Sequence, residues 1–301
     1  MSLSPGYRRR AADVLDVTGP DRESFLQGQC TNDVRALGPG EVLRAAVLTS
    51  KGKLAAFFRC ARADDRFRLL GEGCLAAELA PHLRRSLVFT RAAVEEASDL
   101  DRIDFYGTPP AALPAAPGRR VVSGQVDGVR VDVWPGESEW SAVALVERDR
   151  AGELLAALGP DLREIADEEA ETARVEAARA AWNVDVDGTR LPDEAGFEDA
   201  ISRTKGCYVG QEIVARRKTY GRLHRRLVRW SFPNGVVPAG TTLVGGPGGT
   251  DELGNVTSAV HSPRLGGIGL GWASAAVEVG GRLVSRDDPA LTARLESTLL
   301  A

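Results

Sequence analysis

From residue 222 onward the sequence becomes a succession of short β-type runs punctuated by glycine: "LHRRLVRWSF", "TTLVGG", "GNVTSAV" and "GGIGLGWA". Strands this short cannot bury themselves singly, and the glycines between them supply turns. The segment therefore has to close on itself as a small antiparallel barrel or sandwich. Everything upstream is mixed in character. Residues 13–17 alternate and end at the turn signal Thr18-Gly19-Pro20. "PDRESFLQGQ" reads as a short helix with an acidic first turn and Phe25 and Leu26 facing inward, stopped near Gly28. Two strands are expected over 41–48 and 53–60, joined by a turn at Ser50-Lys51-Gly52, and "RFRLLGEG" adds another. Leu75, Leu79 and Leu83 stand at four-residue spacing on a helix that Pro81 kinks or splits. The Pro/Ala-rich stretch 107–118 is a loop, "GVRVDVWP" a strand, and 150–182 two helices broken at Gly159-Pro160. The expected organisation is an α+β body over 1–217 followed by an all-β domain over 218–301.

Composition narrows the function classes. A net charge of −4 argues against a chain whose task is gripping nucleic acid, so direct nucleic-acid binding is not expected. The four cysteines, Cys30, Cys60, Cys74 and Cys207, form no C-x-x-C pair, and the three histidines are scattered. Neither a metal site nor a disulfide framework is expected, which fits a reducing, cytoplasmic setting. The N-terminus "MSLSPGYRRRAADVLDV" carries no apolar core after its arginines, and no uninterrupted apolar run approaches the roughly 18 residues of a membrane span. There is no G-x-S-x-G, H-E-x-x-H or helix-opening G-x-G-x-x-G, so hydrolase and dinucleotide readings have no support.

Three constellations could carry chemistry. "TKGCYVGQEIVAR", 204–216, sets Cys207 between Gly206 and Tyr208, ahead of an amphipathic run starting after Gly210. It also contains Lys205, one of only four lysines in 301 residues. A helix N-terminus and the neighbouring cations Lys205 and Arg203 would favour thiolate. The same spacing equally suits a small buried thiol filling a tight turn. In "ARVEAARAAW", Glu176 shares a helical face with Arg179, which suits either an i,i+3 ion pair or a buried carboxylate facing an N–H donor. Residues 213–250 contain no acidic residue but carry Arg216, Arg217, Lys218, Arg222, Arg225, Arg226 and Arg229. They suit an anionic ligand or a charge-protected strand edge.

With these residues in place, the chain resembles the folate-binding YgfZ-type proteins, relatives of the glycine-cleavage T-protein (aminomethyltransferase) linked to iron–sulfur cluster assembly and repair. Residues 205–212, "KGCYVGQE", look like that family's K-G-C-Y-x-G-Q-E signature. The resemblance extends in order through "FLQGQCTNDV", "SKGK", "RVEA", "LPDEAG", "GNVTSA" and Ser262-Pro263. It implies a T-protein-like fold, two interwoven α+β domains with a C-terminal antiparallel β-barrel, and tetrahydrofolate as cofactor. Arg174-Val175-Glu176-Ala177-Ala178 looks similar to the T-protein motif R-x-E-A-G, so Glu176 inherits the role of hydrogen-bonding the pterin, with Arg174 beside it in the cofactor-binding set. Tyr208 and Asp33 complete that set, and Cys207 and Lys205 become the reactive thiol and its activator. The partners implied are folate and iron–sulfur client proteins, including tRNA-thiolating ones.

The sequence departs from the pattern at three places. Ala178 replaces the motif's last glycine, and Asp193 stands where many relatives have histidine. T-protein enzymes carry an acidic pair where this chain has Ala55 and Ala56. Alanine cannot act as a base, which argues against aminomethyltransferase activity. Two other readings remain: a folate-dependent one-carbon transferase or demethylase, which would need a carboxylate such as Asp33, and an RNA-binding module using 213–250. Asp33 is equally placed to bond its own backbone as a turn or helix cap.

Overall fold

The computed structural model describes residues 5–72, 74–220 and 223–299, with the side chains of 217–220 outside the description. The chain divides into two compact units. One comprises 1–50, 55–166 and 200–211, the other 51–54, 167–199 and 212–301.

The first unit holds β1 (Gly6–Ala11), β2 (Val14–Thr18), α1 (Arg22–Gln29), β3 (Val42–Leu48), β4 (Leu54–Arg62), β5 (Arg66–Leu70), α2 (Ala80–Arg85), β6 (Ala93–Glu96), β7 (Leu100–Tyr106), β8 (Val122–Val126), β9 (Val129–Glu137), β10 (Trp140–Glu147), α3 (Ala151–Leu158) and β11 (Arg163–Glu164). These make a five-stranded sheet, β3-β4-β5-β2-β6, and a six-stranded sheet, β11-β1-β7-β10-β9-β8. Both follow from alternation. Ile103, Phe105, Val131, Val133, Ala142 and Ala144 line one face of the larger sheet and pack with Leu154 of α3. Its other strand positions carry charge that pairs with the smaller sheet: Arg68 donates to Asp16 at 2.8 Å and to Asp132 at 3.2 Å. Arg102, fully buried, donates to Asp104 at 2.6 Å and Glu72 at 2.7 Å. The expected split at Pro81 is present, as a π-helical turn over Leu75–Leu79 running into α2, with the proline in the first turn of α2.

The second unit holds α4 (Asp167–Glu176), nearly all of α5 (Gln211–Tyr220), and β12 (Arg225–Phe232), β13 (Thr242–Val244), β14 (Glu252–Asn255), β15 (Ser258–Ser262), β16 (Gly266–Ser274), β17 (Arg282–Ser285) and β18 (Thr292–Thr298). The strand order β12-β18-β17-β13-β14-β16 closes through β12–β16 pairing, a six-stranded antiparallel barrel, with β15 pairing along the rest of β16. Val228, Trp230 and Phe232 of β12 point into its core. The glycines of "GGIGLGWA" make that possible. A Cβ on Gly271 would lie 2.0 Å from the Asn255 carbonyl oxygen and 2.9 Å from Trp230 Nε1, so only glycine admits the tryptophan here.

Two expectations change. The helix beginning with the acidic run does not continue to Trp182; α4 ends at Glu176. Arg179 N–H donates to the Arg174 carbonyl at 3.0 Å and Ala178 N–H to that of Val175 at 3.1 Å, a Schellman cap with Ala178 at φ +56°. Glu176 and Arg179 therefore do not share a helical face. No helix among the described residues is long and apolar enough to cross a membrane.

Candidate functional site

The segment 200–211 is anchored to the end of α1 and the residues that follow it in the first unit. Thr31 Oγ1 donates to the Ala200 carbonyl at 2.6 Å, Ser202 N–H to that of Thr31 at 3.0 Å, and Val209 N–H to that of Gly28 at 3.3 Å. Lys205 is buried. Its ammonium donates to the carbonyls of Gln27 and Cys30, both at 2.7 Å, and of Asn32 at 3.0 Å. The last carbonyls of a helix lack intrahelical donors, and an ammonium at that end satisfies them while meeting the negative end of the dipole. The ammonium also lies 5.1 Å from the centre of the buried Tyr208 ring. Desolvation pulls Lys205 below the usual lysine pKa, and burial pushes the Tyr208 phenol up.

Between these two buried anchors Cys207 is exposed. Gly210, at φ +81°, turns the chain into α5 immediately after. The sequence assigned Lys205 to activating the thiol. Its three N–H groups are all engaged by carbonyls, so it fixes the loop, and the expected activation would act through its charge and not through a hydrogen bond to sulfur. Cys30, Cys60 and Cys74 are buried. Burial raises the Cys30 thiol to about 11 despite the Lys205 charge, raises Cys74 to about 12, and holds Cys60 well above the ordinary value. Asp33 sits at the start of a 3-10 turn, Val34–Ala36. One carboxylate oxygen accepts from Gln27 Nε2 at 2.9 Å and from Arg35 N–H at 3.2 Å. Its contacts are those of a turn cap.

Glu176 stands at the end of α4 in the second unit. One carboxylate oxygen accepts from the buried Ser262 hydroxyl, and the other from Arg264 Nη2 at 2.8 Å and Nε at 3.2 Å. Burial works to raise this carboxyl, but the hydroxyl and the guanidinium outweigh it and hold it below the usual range. Ser262 is fixed in turn, because its oxygen accepts from the N–H groups of Arg264 at 3.0 Å and Leu265 at 2.9 Å. Ser262-Pro263 thus builds the turn that aims Arg264 at Glu176.

Arg174 is engaged within the chain. Its five N–H bonds go to both oxygens of Glu171, the Arg179 carbonyl, Asp185 and Ser258 Oγ. Asp185, 2% exposed, accepts from Arg174 at 2.6 Å, from Ala181 N–H at 3.0 Å, and from the hydroxyls of Thr257 and Ser258. Sequence reasoning did not single out Asp185. The available signal was the hydroxyl pair in "GNVTSA", which supplies two of its donors.

The basic stretch 213–250 is partly engaged. Arg216 pairs with Glu212, Arg226 donates to the Val277 carbonyl, and Arg229 donates to that of Glu176 at 3.3 Å. Arg222 lies outside the described residues, as do the side chains of Arg217 and Lys218. Gly52, at φ +71°, makes the turn expected before β4. A side chain there would meet Ile213 at 2.7 Å. Ala55 and Ala56 follow on β4, so neither position offers a carboxylate.

The chain is 27% identical over 224 residues to the tRNA-modifying protein YgfZ of Cronobacter sakazakii, spanning 71% of this chain and 67% of that protein. It is 29% identical over 235 residues to the tRNA-modifying protein YgfZ of Klebsiella pneumoniae, spanning 75% and 71%. The glycine cleavage system aminomethyltransferase T from Bartonella henselae shares its fold, with a TM-score of 0.87 at 17% identity over 98% of this chain and 86% of that one. No family model matches. The chain resembles YgfZ in sequence and aminomethyltransferase T in fold. Both halves of the expectation drawn from "KGCYVGQE" and its companions therefore hold: the family resemblance and the α+β architecture with its C-terminal antiparallel barrel.

Proposed function

We propose that this chain is a tetrahydrofolate-binding accessory protein that presents one reactive thiol, Cys207, in support of iron–sulfur enzymes, including those that thiolate tRNA. One observation carries the reading: Cys207 is the exposed member of four cysteines, displayed between two buried anchors on a fold shared with a glycine cleavage system aminomethyltransferase. Lys205 and Tyr208 hold the thiol's loop in place, which keeps the sulfur at a defined position on the surface. The relatives' name, tRNA-modifying protein, supports the direction of the proposal.

Tetrahydrofolate, when bound, supplies a reduced pterin able to carry a one-carbon unit. Glu176 suits its recognition, because a carboxylate that already accepts a hydroxyl and a guanidinium is built to receive N–H and O–H donors. Ala55 and Ala56 leave β4 without the proton-transfer group that aminomethyl chemistry requires, which favours a binding role over turnover.

The test is a strain lacking the gene, complemented with wild type or with Cys207→Ala. The expected result is loss of cluster-dependent tRNA thiolation with the variant, down to the deletion level. Unimpaired thiolation would remove the thiol from the proposal. Calorimetry tests the folate part separately: no binding of tetrahydrofolate at millimolar concentration would remove it.

A further inference from the structure

The carboxylate of Glu176 already holds a guest. Its first oxygen is fixed by Ser262, a hydroxyl 1% exposed and set in a turn. Its second oxygen takes both Nε and Nη2 of Arg264, whose side chain is 53% exposed against 19% for Glu176. One partner is built in and the other stands at the solvent edge on a long flexible stem. A guanidinium offers two adjacent N–H donors in one plane. The amino group and neighbouring ring N–H of a 2-amino-4-oxopteridine offer the same pair, because that edge is itself a cyclic guanidine. The protein therefore displays, on its own residue, the donor pattern this carboxylate accepts.

We propose that Glu176, Ser262 and Arg264 form a self-occupied recognition site for a cyclic-guanidine edge, which Arg264 fills until a pterin displaces it. The proposal rests on the folate reading above and adds to it a competitor within the chain. Ser262 stays on its oxygen throughout, and Arg264 swings into water when the pterin arrives. The exchange replaces one charge-assisted pair by another, so the net gain on binding is small and depends on salt. Ligands that present an acceptor in place of the amino group cannot make the exchange, because they leave the carboxylate facing a lone pair.

The experiment compares wild type with Arg264→Ala by calorimetry. The probes are tetrahydrofolate, 6-methyltetrahydropterin, which lacks the glutamate tail, and the 2,4-dioxo analogue of that pterin. Arg264 lies at the solvent edge, so its removal leaves the barrel intact. The expected result is that Arg264→Ala binds 6-methyltetrahydropterin about three- to tenfold more tightly than wild type at low ionic strength. That advantage should shrink in high salt, and both proteins should reject the dioxo analogue at least tenfold. Weaker or unchanged binding of the tail-less pterin by the variant would overturn the competitor and leave the folate reading standing, with Arg264 as a positioning residue. Loss confined to tetrahydrofolate would place Arg264 on the glutamate tail and likewise overturn it. Failure of both proteins to bind any probe at millimolar concentration would overturn the folate reading and the competitor together.

Discussion

At Ala178 the backbone keeps a shape that its side chain disfavours. The residue closes α4 at φ +56°, in the left-handed region where an L-residue carries a steric cost and glycine carries none. The cap's two hydrogen bonds hold it there, so the loss of glycine from the R-x-E-A-G pattern changes the strain and leaves the path of the chain. Ala178→Gly is expected to stabilise the protein by about 1 kcal/mol, read as a higher urea midpoint; a lower midpoint would mean that the methyl's packing beside Val175 outweighs the strain. Lys205 shows the opposite situation, a charge whose value lies in what it satisfies. Lys205→Met fills similar space but leaves the carbonyls of Gln27, Cys30 and Asn32 without their donor, and is expected to cost about 2–4 kcal/mol in the same measurement. A cost below about 0.5 kcal/mol would show that water replaces the ammonium freely.

The elements differ in how openly the sequence announces them. The barrel was legible because its signal is local and repeated. Short alternating runs and glycine spacing recur through the segment, and "GGIGLGWA" shows glycines where Trp230 and Phe232 need to approach. The hairpin turn at Ser50-Lys51-Gly52 was legible for the same reason. The end of α4 was not, because "ARVEAARAAW" is composed of good helix formers and nothing in it forbids another turn. What stops the helix is tertiary. Arg174 reaches forward to the Arg179 carbonyl and to Asp185, and these contacts draw the chain out of the helical path. The same network explains why Arg174 looked like a ligand-binding residue beside Glu176 yet has no free donor. Asp185 sits in "NVDVD", where alternation reads as strand and gives no sign that a carboxylate is buried. Removing Arg174 would strand that carboxylate, so Arg174→Met is expected to cost about 3–5 kcal/mol, with Asp185→Asn in the same background recovering part of the loss. Additive losses in the double variant would argue that the two groups act separately.

Across the whole molecule the four thiols fall into two classes, and pH separates them. Cys30, Cys60 and Cys74 are buried with pKa values raised by desolvation, to about 11 for Cys30 and about 12 for Cys74. The folded chain keeps these protons after the unfolded chain has begun to release its own near 9. Their stabilising contribution is therefore whole below about pH 9 and is lost as pH rises through 11 to 12. Lys205 works the other way, since its lowered pKa lets the folded state release a proton that the unfolded chain retains, but one group opposes three. Cys207 is exposed. A disulfide reagent at pH 8 should thus modify one thiol per chain rapidly and all four only in denaturant, and Cys207→Ala should abolish the rapid class while leaving the unfolding free energy from urea titration within about 0.5 kcal/mol of wild type. Raising the pH should then turn one fast thiol into four across the same interval in which stability falls, because exposure of the buried three and loss of the fold are one event. If a second thiol reacted rapidly at pH 8, or if Cys207→Ala kept a fast-reacting sulfur, the assignment of a single presented thiol would fail, and with it the thiol half of the proposed function.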